Sequence, residues 1–177
     1  VLRRLNDLDG AVRQLRMAVQ LAPKDATARF NYGSLLADKR RMDEALKELQ
    51  VAVKLDPRYA LAWRRLGVVH ASEGRFAKAV QSMGRAIRLA PRSGATRCDL
   101  GKVYRRWGKP RRALAEFRAA LRVEPGYARA HLLIGLMHAK AGRCKAATRA
   151  FRAFVKGQPG LPDGTLERLN KRCAPGT

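Results

Sequence analysis

The 177-residue sequence has few of the side chains on which enzymes and membrane-spanning proteins depend. Aromatic residues make up 6% of it, and it has only three histidines, three cysteines and 14 acidic residues. The longest apolar run, around residues 132–137, is far shorter than the roughly 20 residues that cross a bilayer. The sequence contains no phosphate-binding glycine loop, no evident carboxylate pair and no tight metal-ligand spacing. We therefore predict no enzymatic activity, no catalytic residues, no metal and no cofactor.

The dominant feature that is present is a 34-residue period. Proline recurs at this interval, at Pro23, Pro57, Pro91, Pro125 and Pro159. Glycine keeps the same interval at Gly33, Gly67, Gly101 and Gly135. A fixed period of this length predicts stacked structural repeats. Stacked repeats build an extended binding surface rather than one deep reactive site.

Within one 34-residue unit, the spacing of these residues forms a pattern typical of a known protein family. The fourth unit reads Leu100-Gly101-x-x-Tyr104, Ala113-x-x-x-Phe117, Ala120 and Pro125. This pattern resembles the tetratricopeptide repeat of bacterial proteins, a helix–turn–helix unit of 34 residues. The resemblance covers residues 1 to about 159. It implies an all-α, right-handed α-solenoid that acts as a protein-interaction scaffold, and a C-terminal helix is predicted to cap it.

The period also predicts where the repeats begin and end. We place a partial first repeat at 1–25, full repeats at 26–59, 60–93, 94–127 and 128–159, and the capping helix and tail at 160–177. A glycine is expected in the turn inside each full repeat, and Gly74, Gly108 and Gly142 occupy that position. The repeat at 26–59 has Arg40 there instead, so its turn should be less relaxed.

The first repeat is predicted to retain only its second helix, from about Asp9 to Leu21. Without a partner helix, an apolar face that includes Leu8, Val12 and Leu15 should be exposed and could pair with a second copy. We interpret the chain as a fragment or processed form of a longer protein. The alternative is a chain that begins here with a frayed end.

The C-terminal segment suggests a disulfide. Asp163 is a plausible N-cap for the capping helix, and Cys173 ends that helix, whereas Cys144 begins the preceding one. An antiparallel return of the cap would bring Cys144 and Cys173 together. A disulfide implies an oxidising compartment such as a bacterial periplasm or the cell surface. The alternative is a pair of thiols in a cytoplasmic protein.

Charge is distributed unevenly along the sequence. Residues 1–57 hold 11 basic and eight acidic residues, whereas residues 58–177 hold 27 and six. Stacking should align the cations of the intra-repeat turns into a basic ridge, made of Lys39, Arg40, Arg41, Arg75, Lys78, Arg105, Arg106, Lys109, Arg111, Arg112, Arg143 and Lys145. Such a ridge could bind an anionic partner. The alternative is an arginine-rich composition at solvated positions.

The first helices of the repeats are expected to form a concave groove. Its predicted lining is Asn31, Arg64, Arg65, Asp99, Lys102, Arg129, Leu132, Leu133 and Leu136. A groove that is cationic in the middle and apolar toward the C-terminal end suits an acidic and apolar peptide or protein segment. The competing hypothesis is a polyanion on the basic ridge: acidic lipid, envelope glycolipid or nucleic acid. Nucleic acid is the less favoured of these because single strands need aromatic stacking platforms.

Overall fold

In the computed structural model the described residues, 2–158, 160–162, 164–171 and 173, form an all-α protein. The helices in this part of the chain are α1 Leu2–Leu21, α2 Ala26–Asp38, α3 Met42–Leu55, α4 Ala60–Ser72, α5 Phe76–Leu89, α6 Gly94–Arg106, α7 Pro110–Val123, α8 Ala128–Lys140, α9 Cys144–Lys156 and α10 Thr165–Lys171. The predicted cap residue Asp163 and the last proline of the series, Pro159, lie outside the described residues. The chain divides into two compact units, Val1–Pro91 and Arg92–Thr177, called unit 1 and unit 2 below.

Unit 1 packs its helices through small residues. The helix pairs α2–α3 and α4–α5 enclose a core in which Leu36, Leu49 and Met83 are at most 1% exposed. A Cβ added at Gly67 would come within 2.7 Å of Met83 Cγ. The glycines that recur every 34 residues are therefore explained by the close approach of the two helices of a pair, with a large side chain filling the space beside them.

The helix–turn–helix geometry follows from the turn residues. Gly74, Gly108 and Gly142 have positive φ angles of 71°, 72° and 67°. Arg40 occupies the same position with φ 64°, in the left-handed region that costs a non-glycine residue about 1 kcal/mol or more. The expectation of a less relaxed turn at Arg40 is confirmed.

The N-terminal helix differs from the prediction in two respects. It begins at Leu2 rather than near Asp9 and continues without a turn. Val12 and Leu15 are partly buried against the unit 1 core rather than exposed, because α2 packs against this face of α1. From Asp9 onward, the large apolar side chains that are exposed on α1 are Met17, at 58%, and Leu21, at 84%.

Unit 2 repeats the same construction and ends in a cap. Phe117 and Phe151 are fully buried at the position that Met83 occupies in unit 1. The short helix α10 packs on α9, and its Leu166 and Leu169 lie against a cluster that contains Phe151 and Cys173. The predicted capping helix is therefore present. Within the described residues, no helix has both the length and the apolar character needed to span a membrane.

Candidate functional site

Unit 2 contains a cavity of about 670 Å³, within the usual size range of ligand pockets. It opens between the C-terminal ends of α6 and α8 and the turn that joins α6 to α7. Its lining consists of Arg105, Arg106, Gly108, Pro110, Leu136, Met137, Lys140 and Ala141. None of these eight residues is acidic, so the cavity combines positive charge with apolar surface.

The cations of the cavity occupy positions that the fold stabilises. Arg105 and Arg106 lie in the last turn of α6, and Lys140 lies in the last turn of α8. The C-terminal end of a helix carries partial negative charge, which favours basic side chains there. All three residues are exposed.

The apolar floor is held by the packing of α8. Met137 packs against the core cluster of unit 2 that contains Phe117, and Leu136 packs against the cluster beneath the cap. Both side chains keep part of their surface accessible. Pro110 closes the other side at the start of α7, where its missing N–H costs the helix nothing. A rigid apolar floor with cations at its edge can hold an apolar group attached to an anion.

The cavity joins two surfaces that the sequence analysis treats separately. Leu136 is a predicted groove residue, whereas Arg105 and Arg106 belong to the predicted ridge. Met137 and Lys140 were not predicted. The repeat contained a signal for Lys140, because it follows Arg106 by 34 residues and so occupies the same repeat position.

The prediction of an apolar groove end is wrong for Leu133. Its side chain is only 8% exposed and belongs to the core cluster of unit 2. Leu132 packs with Leu136 against the cluster that α10 covers. Leu133 is buried because it faces the core that α8 shares with α6 and α7, whereas the capping helix covers part of the surface of Leu132 and Leu136.

The polar groove residues make contacts within their own units. In unit 1, Arg65 donates a 2.8 Å hydrogen bond to the Ser34 carbonyl and pairs with Asp38. In unit 2, Lys102 lies 2.7 Å from Asp99, whose side chain is 13% exposed. The remaining predicted members are Arg64, half-buried on α4, Asn31, exposed on α2, and Arg129, exposed on α8. A groove ligand would therefore have to compete with existing ion pairs at Arg65 and Lys102.

Several ridge cations of unit 1 are also engaged. Arg41 makes two hydrogen bonds to Glu44, at 2.6 and 2.7 Å. This contact lowers the pKa of Glu44 and raises the pKa of Arg41. Lys39 pairs with Asp9. The other ridge members in this unit are exposed, namely Arg40, Arg75 and Lys78.

In unit 2, part of the ridge packs on aromatic rings. Lys109 Nζ lies 3.2 Å from the centroid of the Trp107 ring. The Arg112 guanidinium carbon lies 5.8 Å from the centroid of Tyr104. These are cation–π geometries. The other ridge members in this unit are exposed, namely Arg105, Arg106, Arg111, Arg143 and Lys145. The ridge therefore includes cations that contact acidic or aromatic side chains and others whose side chains are exposed to solvent.

Two of the three histidines are part of the packing. His70 and His138 are 4% and 8% exposed. Burial lowers the pKa of both imidazoles, with a further contribution from Lys78 at His70 and from Arg143 at His138. The neutral ring is thus the favoured form. Among the described residues no group of three or more His, Cys, Asp or Glu side chains is arranged to hold a metal ion.

The structure brings Cys144 and Cys173 together. Their Cα atoms are 5.4 Å apart, within the range of disulfide-bonded pairs. Cys144 is the first residue of α9, and Cys173 is buried in the cluster beneath the cap. A bond between the two sulfurs would fix the end of the cap to the start of the last long helix.

Comparisons with known proteins agree with this architecture. A family model described as tetratricopeptide repeat matches residues 1–60, 43–94 and 98–162. The fold is similar to the crystal structure of MamA, with 25% identity over 88% of this chain and 91% of that one and a TM-score of 0.75. No curated protein gives a significant match.

Two further solved structures share the fold. PilF of Pseudomonas aeruginosa is 23% identical over 98% of this chain and 78% of its own, with a TM-score of 0.80. YrrB, a TPR protein with an unusual peptide-binding site, is 21% identical over 90% of this chain and 87% of its own, with a TM-score of 0.65. At these identities the likeness concerns the fold.

Proposed function

The chain belongs to the tetratricopeptide repeat family, and we propose that it is a non-catalytic scaffold that holds a segment of another protein as part of a larger assembly. The observation that carries this proposal is the unit 2 cavity, where the exposed cations Arg106 and Lys140 border an apolar floor. Repeat proteins bind partners through surfaces that neighbouring repeats build together, and this cavity is lined by residues of two successive repeats.

The lining of the cavity favours a particular ligand chemistry. Leu136 and Met137 offer a contact for one apolar side chain, and the surrounding cations offer charge-assisted hydrogen bonds to carboxylates. A peptide with Leu, Ile or Phe next to Asp or Glu meets both requirements. The peptide-binding site of YrrB supports a peptide as the class of ligand for this fold.

Selection of peptides from a random displayed library on the immobilised protein tests the proposal. Enriched peptides should combine acidic and large apolar residues. Replacing Arg106 and Lys140 with glutamine should weaken their binding by about tenfold or more, because each residue contributes a hydrogen bond to a charged group. Fluorescence anisotropy of a labelled enriched peptide gives the affinities.

A matched variant in unit 1 is the control. Arg75 and Lys78 are exposed cations, and their replacement with glutamine removes the same charge. This control should bind the peptide like the unmodified protein. Equal weakening by the two double variants, or enrichment of peptides without acidic residues, would contradict the proposed site.

We also propose that Cys144 and Cys173 form a disulfide in the native protein and that the protein works in an oxidising compartment, such as a bacterial periplasm. The 5.4 Å Cα–Cα separation supports the pairing, and structural disulfides are rare in the cytosol of mesophiles. After denaturation without reductant, alkylation should modify Cys98 alone. Three alkylated cysteines in protein isolated from its native compartment would reject both proposals.

A further inference from the structure

The second helices of unit 2 carry lines of cations on their solvent-facing sides. Residues spaced by four, three and four positions lie on one side of a helix. On α7 these residues are Arg111, Ala115, Arg118 and Arg122. On α9 they are Lys145, Arg149, Arg152 and Lys156. We call these two lines the outer stripes; all eight positions are exposed, and seven are cationic.

Unit 1 provides an internal comparison at the same repeat positions. The residues 68 positions earlier in the sequence are Asp43, Lys47, Gln50, Lys54, Ala77, Gln81, Gly84 and Arg88. Three of these eight are cationic and one is acidic. Both sets belong to one chain, so a general excess of arginine in the sequence does not account for the outer stripes.

The outer stripes have no acidic partners in the part of the chain that the structure describes. None of the seven cations forms an ion pair with a described residue. The nearest acidic residue along α7, Glu116, lies 3.6 Å from Arg97 of α6 instead. A cluster of seven like charges repels itself and attracts an anionic surface from outside.

The opposite sides of α7 and α9 are occupied by the core. Phe117 of α7 and Phe151 of α9 are fully buried. The two helices therefore cannot turn their apolar faces into a lipid bilayer as a lone amphipathic helix does. Any contact with a membrane through this surface has to be electrostatic and confined to the headgroups.

We propose that the outer stripes bind the surface of a bilayer that contains anionic phospholipid. Clusters of four to eight lysines and arginines on amphipathic helices are typical of binding to anionic headgroups. Each stripe extends about 16 Å, the rise of eleven residues of helix. Two such stripes on successive helix pairs present a broad positive surface, which fits an extended anionic plane.

Nucleic acid is the competing polyanion, and the residue types of the outer stripes disfavour it. The eight positions contain no aromatic residue on which a base could stack. They also contain no amide or hydroxyl side chain to read a base edge. Arginine and lysine can still bind phosphates and guanine edges of a duplex, so binding to duplex DNA is compared directly in the test.

Flotation with vesicles tests the proposal on the intact chain. The protein should float with vesicles of phosphatidylcholine and phosphatidylglycerol and not with phosphatidylcholine alone, and added salt should release it. The test variant replaces Arg118, Arg122, Arg149 and Arg152 with glutamine. Each basic residue near an anionic surface strengthens binding about fivefold, so the variant should bind at least about tenfold more weakly.

The control variant removes the same charge from unit 1, at Lys47, Lys54, Arg85 and Arg88, all of which are exposed. Its vesicle affinity should change by less than about threefold, because these residues lie outside the outer stripes. Circular dichroism melting checks that both variants are folded.

Equal loss of affinity in the two variants would overturn the assignment to the outer stripes. Binding to a DNA duplex that is tighter than binding to anionic vesicles at the same phosphate concentration would overturn the choice of lipid. The cavity residues are unchanged in the test variant, so its binding to a selected peptide reports separately on the scaffold function.

Discussion

Unit 1 and unit 2 share one internal design and differ in what they present to solvent. In both, small residues allow two helices to approach and a large residue fills the layer, Met83 in unit 1 and Phe117 in unit 2. In unit 1, ion pairs such as that between Arg29 and Glu48 engage part of the positive charge. In unit 2, seven exposed cations on α7 and α9 form no ion pair with a residue that the structure describes. The repeat period thus constrains the buried positions and leaves the surface of each unit to diverge.

Each unit contains one tryptophan, which allows their stabilities to be compared. Trp63 belongs to α4, and its indole donates a 3.0 Å hydrogen bond to the Pro57 carbonyl. Trp107 ends α6 in unit 2. The tryptophan fluorescence of a Trp107→Phe variant therefore reports on unit 1 during urea denaturation, and that of a Trp63→Phe variant reports on unit 2.

The largest effect on stability is expected from truncating a large core side chain of unit 2. Phe117 is fully buried, so Phe117→Ala should lower the free energy of unfolding by about 3–5 kcal/mol. The matched change in unit 1, Met83→Ala, should cost about 2–5 kcal/mol. Urea titrations followed by the fluorescence of the tryptophan in the mutated unit measure both changes in the free energy of unfolding. A loss below about 1 kcal/mol at either site would contradict the shared core design.

A smaller effect, confined to unit 2, should follow from opening the disulfide that we propose. Closing a loop of the 29-residue separation between Cys144 and Cys173 stabilises by about 3.5 kcal/mol in the chain-entropy description. Cys173→Ser should lower the stability reported by Trp107 by about that amount. It should leave the Trp63 signal nearly unchanged, and dithiothreitol should have no further effect on the variant. An unchanged Trp107 transition would show that the cap contributes little to unit 2.

The contrast between core and surface also explains what the sequence could predict. The residue types that recur at the repeat positions of Gly67, Met83 and Pro91 follow from the geometry of two packed helices. The fold and the turn at Arg40 were therefore predictable from the period. The repeat pattern does not specify which side of a helix its neighbours cover. Val12 was predicted to be exposed for lack of a partner helix, but α2 of the next repeat packs on α1. Leu133 was predicted to line the groove, but it faces the core that α8 shares with α6 and α7.

The cavity was only partly predictable for a related reason. Its residues come from the end of α6, the following turn and the second half of α8. Three of them were predicted, Leu136 as a groove residue and Arg105 and Arg106 as ridge residues. Whether Leu136 and Arg106 line one space depends on the angle between successive helix pairs, which a repeat period does not specify. The disulfide candidate was predictable because it required only an antiparallel return of the cap.

The turns of the two units differ by a substitution that can be reversed. Arg40→Gly should stabilise unit 1 by about 1 kcal/mol, because it relieves a left-handed backbone angle on a non-glycine residue. In unit 2, Gly108→Ala should destabilise by about the same amount, since Gly108 has φ 72° and an added Cβ would meet no atom within 4 Å. Single-tryptophan urea titrations measure both changes. The same sign for both substitutions would contradict a backbone origin.

The smallest effect is a pH dependence that both units should share. The pKa of His70 and that of His138 lie below the ordinary histidine value because both rings are buried. Below about pH 6.5 the unfolded chain binds protons that the folded chain excludes, so stability should fall as the pH drops. The full contribution is present above the unfolded pKa, and it is lost as the pH falls toward the lowered folded values. Leu36 occupies the same repeat position as His70 in the preceding repeat. His70→Leu should therefore flatten the pH dependence of stability that Trp63 fluorescence reports between about pH 7.5 and about pH 5.5. The Trp107 signal, which depends on His138, should keep its slope, and an unchanged Trp63 slope would exclude His70 as the titrating group.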